Sequence, residues 1–176
     1  QKRLLMPDDL SHLKASICIA LCHDDCLFLA LILVGFFSLH RLGELVWPDD
    51  PSLYSSCKLI HCHSVKVTAT SITYMLPMHK VDCYFTSSEV IIEHRIDRLD
   101  LGAPFLAYLA PCNALFSFEL VLFLQHDGLV PTQGWYLSRL WAMVGDSVGG
   151  HSLCPGGATF LASLSCPDGH IQASDR

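Results

Sequence analysis

Positive charge is scarce in the carboxy-terminal half of this chain: between Leu99 and Asp175 the only lysine or arginine is Arg139. Over all 176 residues, 11 Lys and Arg stand against 17 Asp and Glu, for a net charge of -6. Such a balance argues against a broad polyanion-binding surface. The 10 histidines add positive charge only at lower pH. No basic, apolar and small-residue segments stand together at the start, so no secretory signal is expected, and Gln1 in place of Met is read as a fragment start. No paired CxxC spacing organises the 9 cysteines, which argues against a disulfide framework. Cys57, His61, Cys62 and His63 lie close in sequence, and His61 and His63 would share a face of a strand, but four ligands at a recognisable spacing are lacking. No metal site and no cofactor are therefore expected. Repeats and low-complexity linkers are absent too, and the length suits one domain with a self-sufficient core.

What is present is an apolar segment, Cys26 to Val46, that ends in His40, Arg41 and Glu44. Its fourteen uncharged residues Cys26–Leu39 suit a core helix and fall short of the about 20 residues that span a bilayer. A central helix and no membrane anchor are expected. An arginine on the end of a core helix needs an anion or several acceptors. Glu44, three residues on, is within reach on a helical turn. By itself this stretch predicts an ordinary ion pair at a helix end, with Arg41 largely buried against Glu44.

Before that segment, Asp8 or Asp9 can cap a helix running to about Leu21, and His23, Asp24 and Asp25 mark a break. Cys18, Cys22 and Cys26 recur every four residues, which on a helix makes one small apolar stripe. Pro48 closes the central helix by Trp47. Three β-branched and aromatic segments follow, near 58–67, 71–78 and 89–94, and short turns between them suggest an antiparallel meander. Beyond Asp100 the pattern predicts helices near 103–110, 131–144 and 153–164, with 115–124 of uncertain type. The expected fold class is α+β, a mainly helical single domain over residues 1–176 with a small three-stranded antiparallel sheet.

The phrase GFFSLHRLGELVWP, with Gly35, Arg41, Leu42, Gly43, Glu44 and Leu45, resembles the first arginine box of the tyrosine recombinase (phage integrase-like) catalytic domain, of the type found in integrase-like proteins of mushroom-forming fungi. Leu76-Pro77-Met78-His79-Lys80 falls where that family carries a lysine, at the turn between the second and third strands. Asp127, Gly128, Val130, Pro131, Thr132 and Trp135 resemble the start of a later helix, and Gly150 to Thr159, GHSLCPGGAT, resembles the box whose pattern is His, two residues, Arg. The resemblance runs from about Lys2 to Gln172.

In that family a tyrosine attacks a DNA phosphodiester while positioned cations hold the non-bridging oxygens and a proton donor serves the leaving oxygen. The resemblance implies that Arg41 clamps the phosphate with Glu44 orienting it, that Lys80 protonates the leaving oxygen, and that His151 assists proton transfer. Taken singly, Lys80 reads as a solvated turn lysine and His151 as a capping or core histidine. Cys154 stands where the second arginine belongs, and losing such an arginine in phosphoryl transfer costs roughly 10³–10⁵ in rate. Tyr54, Tyr74, Tyr84, Tyr108 and Tyr136 all precede His151, so none occupies the nucleophile's place. The resemblance thus implies a truncated remnant of a DNA integration and recombination domain of a mobile element. It would lack the carboxy-terminal nucleophile segment and the amino-terminal DNA-clamping domain, be catalytically inactive, and keep at most residual DNA binding. Its place would be intracellular, nuclear in a eukaryote, with no membrane partner and self-association left open. The alternative is a non-catalytic interaction or structural module that keeps the fold.

Overall fold

The computed structural model describes residues 2–17, 22–77, 88–94 and 99–164. Helix α1 spans Pro7–Ile17, with Pro7 at its first position and Asp8 and Asp9 in its first turn. Helix α2 is the central element, His23–Phe37. Every residue from Cys26 to Phe36 is buried, so α2 is enclosed on all sides, as an all-apolar helix must be. The residues expected to break the chain, His23, Asp24 and Asp25, form its first turn instead. Asp24 is buried there: its carboxylate accepts from the His126 backbone N–H at 2.8 Å and lies 2.9 Å from His126 Nδ1. Arg139 donates to Asp25 at 2.8 Å and lies over the Trp135 ring. Carboxylates are favoured at a helix N-terminus, which is why these acids open α2 rather than interrupt it. The cysteine stripe is corrected for Cys22 and Cys26 by the same boundary, because Cys22 precedes α2, exposed, while Cys26 is buried inside it; Cys18 lies outside the described residues.

After α2 come the single turn α3 (Leu42–Leu45) and 3₁₀ turns at Pro51–Leu53, Ser56–Lys58 and Cys62–Ser64. The sheet follows, with strands β1 (Lys66–Val67), β2 (Ser71–Leu76) and β3 (Ser88–Glu93) in antiparallel order β1-β2-β3. Ile72 pairs with Ile92 and Tyr74 with Val90, and β2 alternates half-buried and buried residues along its length. The first predicted strand shrinks to two residues because 58–65 is taken up by turns. There His61 forms an isolated bridge to Val121, and Ile60 O accepts from Leu122 N. His61 and His63 do face one another, with ring centroids 5.4 Å apart, but from a turn rather than a strand. Among the described residues, no three His, Cys, Asp or Glu come together as a metal-holding group.

Helices α4 (Gly102–Leu115), α5 (Gln133–Val144) and α6 (Leu153–Ser163) complete the fold. Helix α4 outruns its expected end at Ala110 and carries Pro111 inside it, at an exposed position. Tyr108 of α4 anchors the next segment: its buried hydroxyl donates to Leu122 O at 2.7 Å and accepts from Leu124 N at 2.8 Å. Tyr136 of α5 differs, since its hydroxyl is buried against Phe28 with no hydrogen-bond partner. Tyr136→Phe removes that orphan donor without leaving a hole, and is expected to raise stability by about 1 kcal/mol in urea denaturation. Among the described residues no helix is long and apolar enough to cross a membrane.

Candidate functional site

The arginine box sits on a sharp reversal. Helix α2 ends at Phe37, and Leu39 adopts φ 54°, a left-handed conformation uncommon for a residue with a branched side chain. The His40 N–H returns to the Gly35 carbonyl at 2.9 Å. This turn points neighbouring residues in opposite directions, burying His40 (3 % exposed) and leaving the Arg41 side chain 45 % exposed. The expectation of a buried Arg41 is therefore corrected.

The physical reason lies in what Glu44 does. Arg41 is the N-cap of α3 and Glu44 is the third residue of that helix, the spacing at which a glutamate reaches back to the N-cap backbone. The Glu44 carboxylate accepts from the Arg41 N–H at 3.0 Å and lies 3.1 Å from His40 Nδ1, while the Arg41 guanidinium stands 3.9 Å away. A carboxylate only accepts, so His40 Nδ1 carries the proton in this pair. On the other ring edge, His40 Nε2 lies 2.6 Å from the Tyr74 hydroxyl, which lies 3.0 Å from Ser38 Oγ. A buried polar chain thus runs from Glu44 through His40 to Tyr74 of β2. It ties the arginine box to strand β2, which precedes Lys80 in the chain. Lys80 itself lies outside the described residues. Sequence reasoning passed over His40 and Tyr74; the available signal was a histidine and a tyrosine at buried positions, each needing a partner.

The turn that holds His151 packs against α3. The turn Gly150–Ser152 leads into α6, and a Cβ on Gly150 would stand 2.8 Å from a Leu42 methyl, next to Arg41 in the chain. Gly35 of α2 faces Leu45 and Leu153 at 3.1 Å, so the end of α2, α3 and the start of α6 share one contact. A Cβ on Gly43 would stand 3.5 Å from Gln133 Nε2, which sets the start of α5 beside α3. Asp49 accepts from Gly134 N at 2.7 Å and Thr132 Oγ1 from Trp135 N at 3.2 Å, capping α5. The amino-terminal lead holds the α6 turn: Ser152 Oγ donates to Arg3 O at 2.8 Å and accepts from Gly149 N at 3.1 Å. His151 is exposed, and Cys154 is half-buried in the first turn of α6.

Chemically, Arg41 offers a half-exposed cation on a fixed backbone and His151 an exposed imidazole, with Lys2 and Arg3 of the amino-terminal lead beside the α6 turn. Three of the described tyrosines are enclosed in the core and the fourth, Tyr54, is exposed. Burial pushes the Tyr74, Tyr108 and Tyr136 phenols well above the ordinary tyrosine range. Tyr54 lies flat on Trp47, ring centroids 4.7 Å apart. Tyr84 lies outside the described residues.

A mainly helical domain with this small antiparallel sheet is the fold of the recombinase catalytic domain. Two solved structures of the XerH site-specific recombinase match it. One, bound to difH substrate as a pre-cleavage complex, has a TM-score of 0.65, and the other, bound to palindromic difH as a post-cleavage complex, 0.68. Both are 15 % identical in sequence, over 97 % and 99 % of this chain. The chain spans about half the length of those proteins, 46 % in each. No protein-family model matches the sequence, and no curated protein matches it.

Proposed function

We propose that this chain is a tyrosine-recombinase-type catalytic domain whose phosphate clamp has lost one of its two arginines, so that it contacts DNA backbone weakly and does not break it. The observation that carries this reading is the exposed Arg41, held by Glu44 at the N-cap of α3 and packed beside the α6 turn that presents His151. It occurs in a fold shared with recombinases solved on DNA. In this reading Arg41 holds a non-bridging phosphate oxygen, His151 exchanges a proton nearby, and Lys80 serves the leaving oxygen. In this reading Cys154 holds the second arginine's position, and a thiol supplies no positive charge there. Loss of that arginine removes one of the cations that stabilise the charge on the transferring phosphoryl group.

Duplex DNA gel shifts test the proposal. Binding is expected at about 50 mM salt and should fade by about 200 mM, as expected for a few phosphate contacts. Cys154→Arg, which adds a cation beside His151, is expected to tighten binding several-fold and steepen the salt dependence. Arg41→Ala is expected to abolish the low-salt shift. Binding that ignores salt, or that Arg41→Ala leaves intact, would refute the assignment of the clamp.

A further inference from the structure

We propose that His40 is a positioning residue that draws Glu44 off the Arg41 guanidinium, so that this cation keeps its charge for a phosphate. Glu44 has three donors around it and divides itself unequally among them. One oxygen, Oε2, accepts from the Arg41 N–H at 3.0 Å and lies 3.1 Å from His40 Nδ1. The other, Oε1, stands 3.9 Å from Arg41 Nη1. A guanidinium that fully engages a carboxylate closes to about 2.8 Å, so the Arg41 side chain stops about 1 Å short of Glu44. Arg3 gives the contrast within this chain: at a similar exposure it grips Asp9 through two nitrogens, at 2.7 and 2.9 Å.

Burial explains the division. His40 is buried, with no access to water, whereas the Arg41 side chain is half exposed. A buried donor left unmet costs more than an exposed ion pair returns, so Glu44 stays with the imidazole. The ring is held in place from its far edge. Its Nε2 lies 2.6 Å from the Tyr74 hydroxyl, which lies 3.0 Å from Ser38 Oγ, and all three residues are buried. A half-turn of the imidazole would set carbon against both Glu44 and Tyr74. The phosphate in this inference rests on the reading of Arg41 as a DNA contact; the division of Glu44 stands on the distances alone.

Phenylglyoxal modification of Arg41 in the folded chain, read by peptide mapping with Arg3 as the internal reference, tests that division without DNA. His40→Gln keeps a polar group towards Tyr74 but has no donor at the Nδ1 position. Glu44 then closes on Arg41, and modification should slow about two- to fivefold, the range an ion pair of this exposure supports. Adding Glu44→Gln to that variant removes the competing charge and should restore the wild-type rate, as should His40→Asn, whose amide N–H replaces that of Nδ1. A purely structural His40 predicts no rescue by Glu44→Gln. Glu44→Gln alone should change the rate less than about twofold. A larger rise would show that Glu44 already directs its charge to Arg41, and this arm decides should His40→Gln fail to fold. Unchanged modification in His40→Gln, or no rescue, would overturn the inference. In duplex gel shifts at about 50 mM salt, affinity should fall and recover in step with modification, and affinity that does not follow it would overturn the phosphate half. A wild-type chain that gives no shift would remove the DNA reading and leave the phenylglyoxal result to decide the division of Glu44.

Discussion

Gly157→Ala is expected to lower stability by about 3 kcal/mol or more, although alanine is the better helix former by about 1 kcal/mol. The sign is decided by what a methyl would meet. A Cβ on Gly157 would land on the carbonyl oxygen of Phe36 and stand 2.6 Å from a Leu39 methyl, and one on Gly156 would land on the Leu5 carbonyl. Backbone oxygens cannot rotate away as a side-chain tip can, so α6 must separate from the end of α2. The separation opens the packing that holds Leu153 against Gly35. Overpacking of this kind typically costs about 1–3 kcal/mol, and contact with main chain on one side and core on the other places Gly157 at the upper end. For a domain of this size that lowers the melting temperature by roughly 6–12 °C. Gly43→Ala is the matched control: its nearest atom would be the flexible Gln133 Nε2 at 3.5 Å, and it is expected to change stability by less than about 1 kcal/mol. Urea midpoints of the two variants measured together check the difference. Equal midpoints would show that α6 does not pack as closely as described.

The second large effect belongs to Glu44 rather than Arg41. Glu44→Ala is expected to cost about 3 kcal/mol, because it leaves the Arg41 N–H and the buried His40 Nδ1 without their acceptor. Arg41→Ala is expected to cost less than about 1 kcal/mol, since its guanidinium is half exposed and stands 3.9 Å from the carboxylate. Thermal melts of both variants decide between a carboxylate that holds the backbone and one that holds a side chain. Comparable losses would mean that the ion pair, and not the cap, organises the turn.

The contrast between those residues shows which parts of the molecule were legible. The apolar run from Cys26 to Phe36 announced a core helix, and the helix is there, because burial of so many large side chains leaves few other solutions. The β-branched and aromatic residues in 71–78 and 89–94 announced strands, which stand at 71–76 and 88–93, and α5 and α6 lie within two residues of their expected limits. Where the sequence misled, two structures share one spacing. Arg41 and Glu44 are three residues apart, which fits an ion pair on a helical turn and equally a glutamate reaching back to an N-cap. Only the left-handed turn at Leu39, which no residue type announces, selects the second. The meeting of Arg41 and His151 was expected from resemblance alone, and what the structure shows is a set of close approaches at Gly35, Gly150, Gly156 and Gly157 that hold α6 and the turn before it against α2, α3 and the amino-terminal lead. Glycines advertise freedom, not the identity of the chain they let in. The His40–Tyr74 link was hidden for another reason: each half sits in a segment whose pattern is explained by burial alone.

The most direct test of the proposed function is incubation of the chain with a nicked suicide duplex, followed by denaturing electrophoresis and peptide mapping. No covalent protein–DNA adduct is expected, and none is expected for Cys154→Arg, because Tyr74, Tyr108 and Tyr136 are buried and held above their ordinary ionisation range. An adduct formed by the unaltered chain, mapped to any of its five tyrosines, would contradict the account.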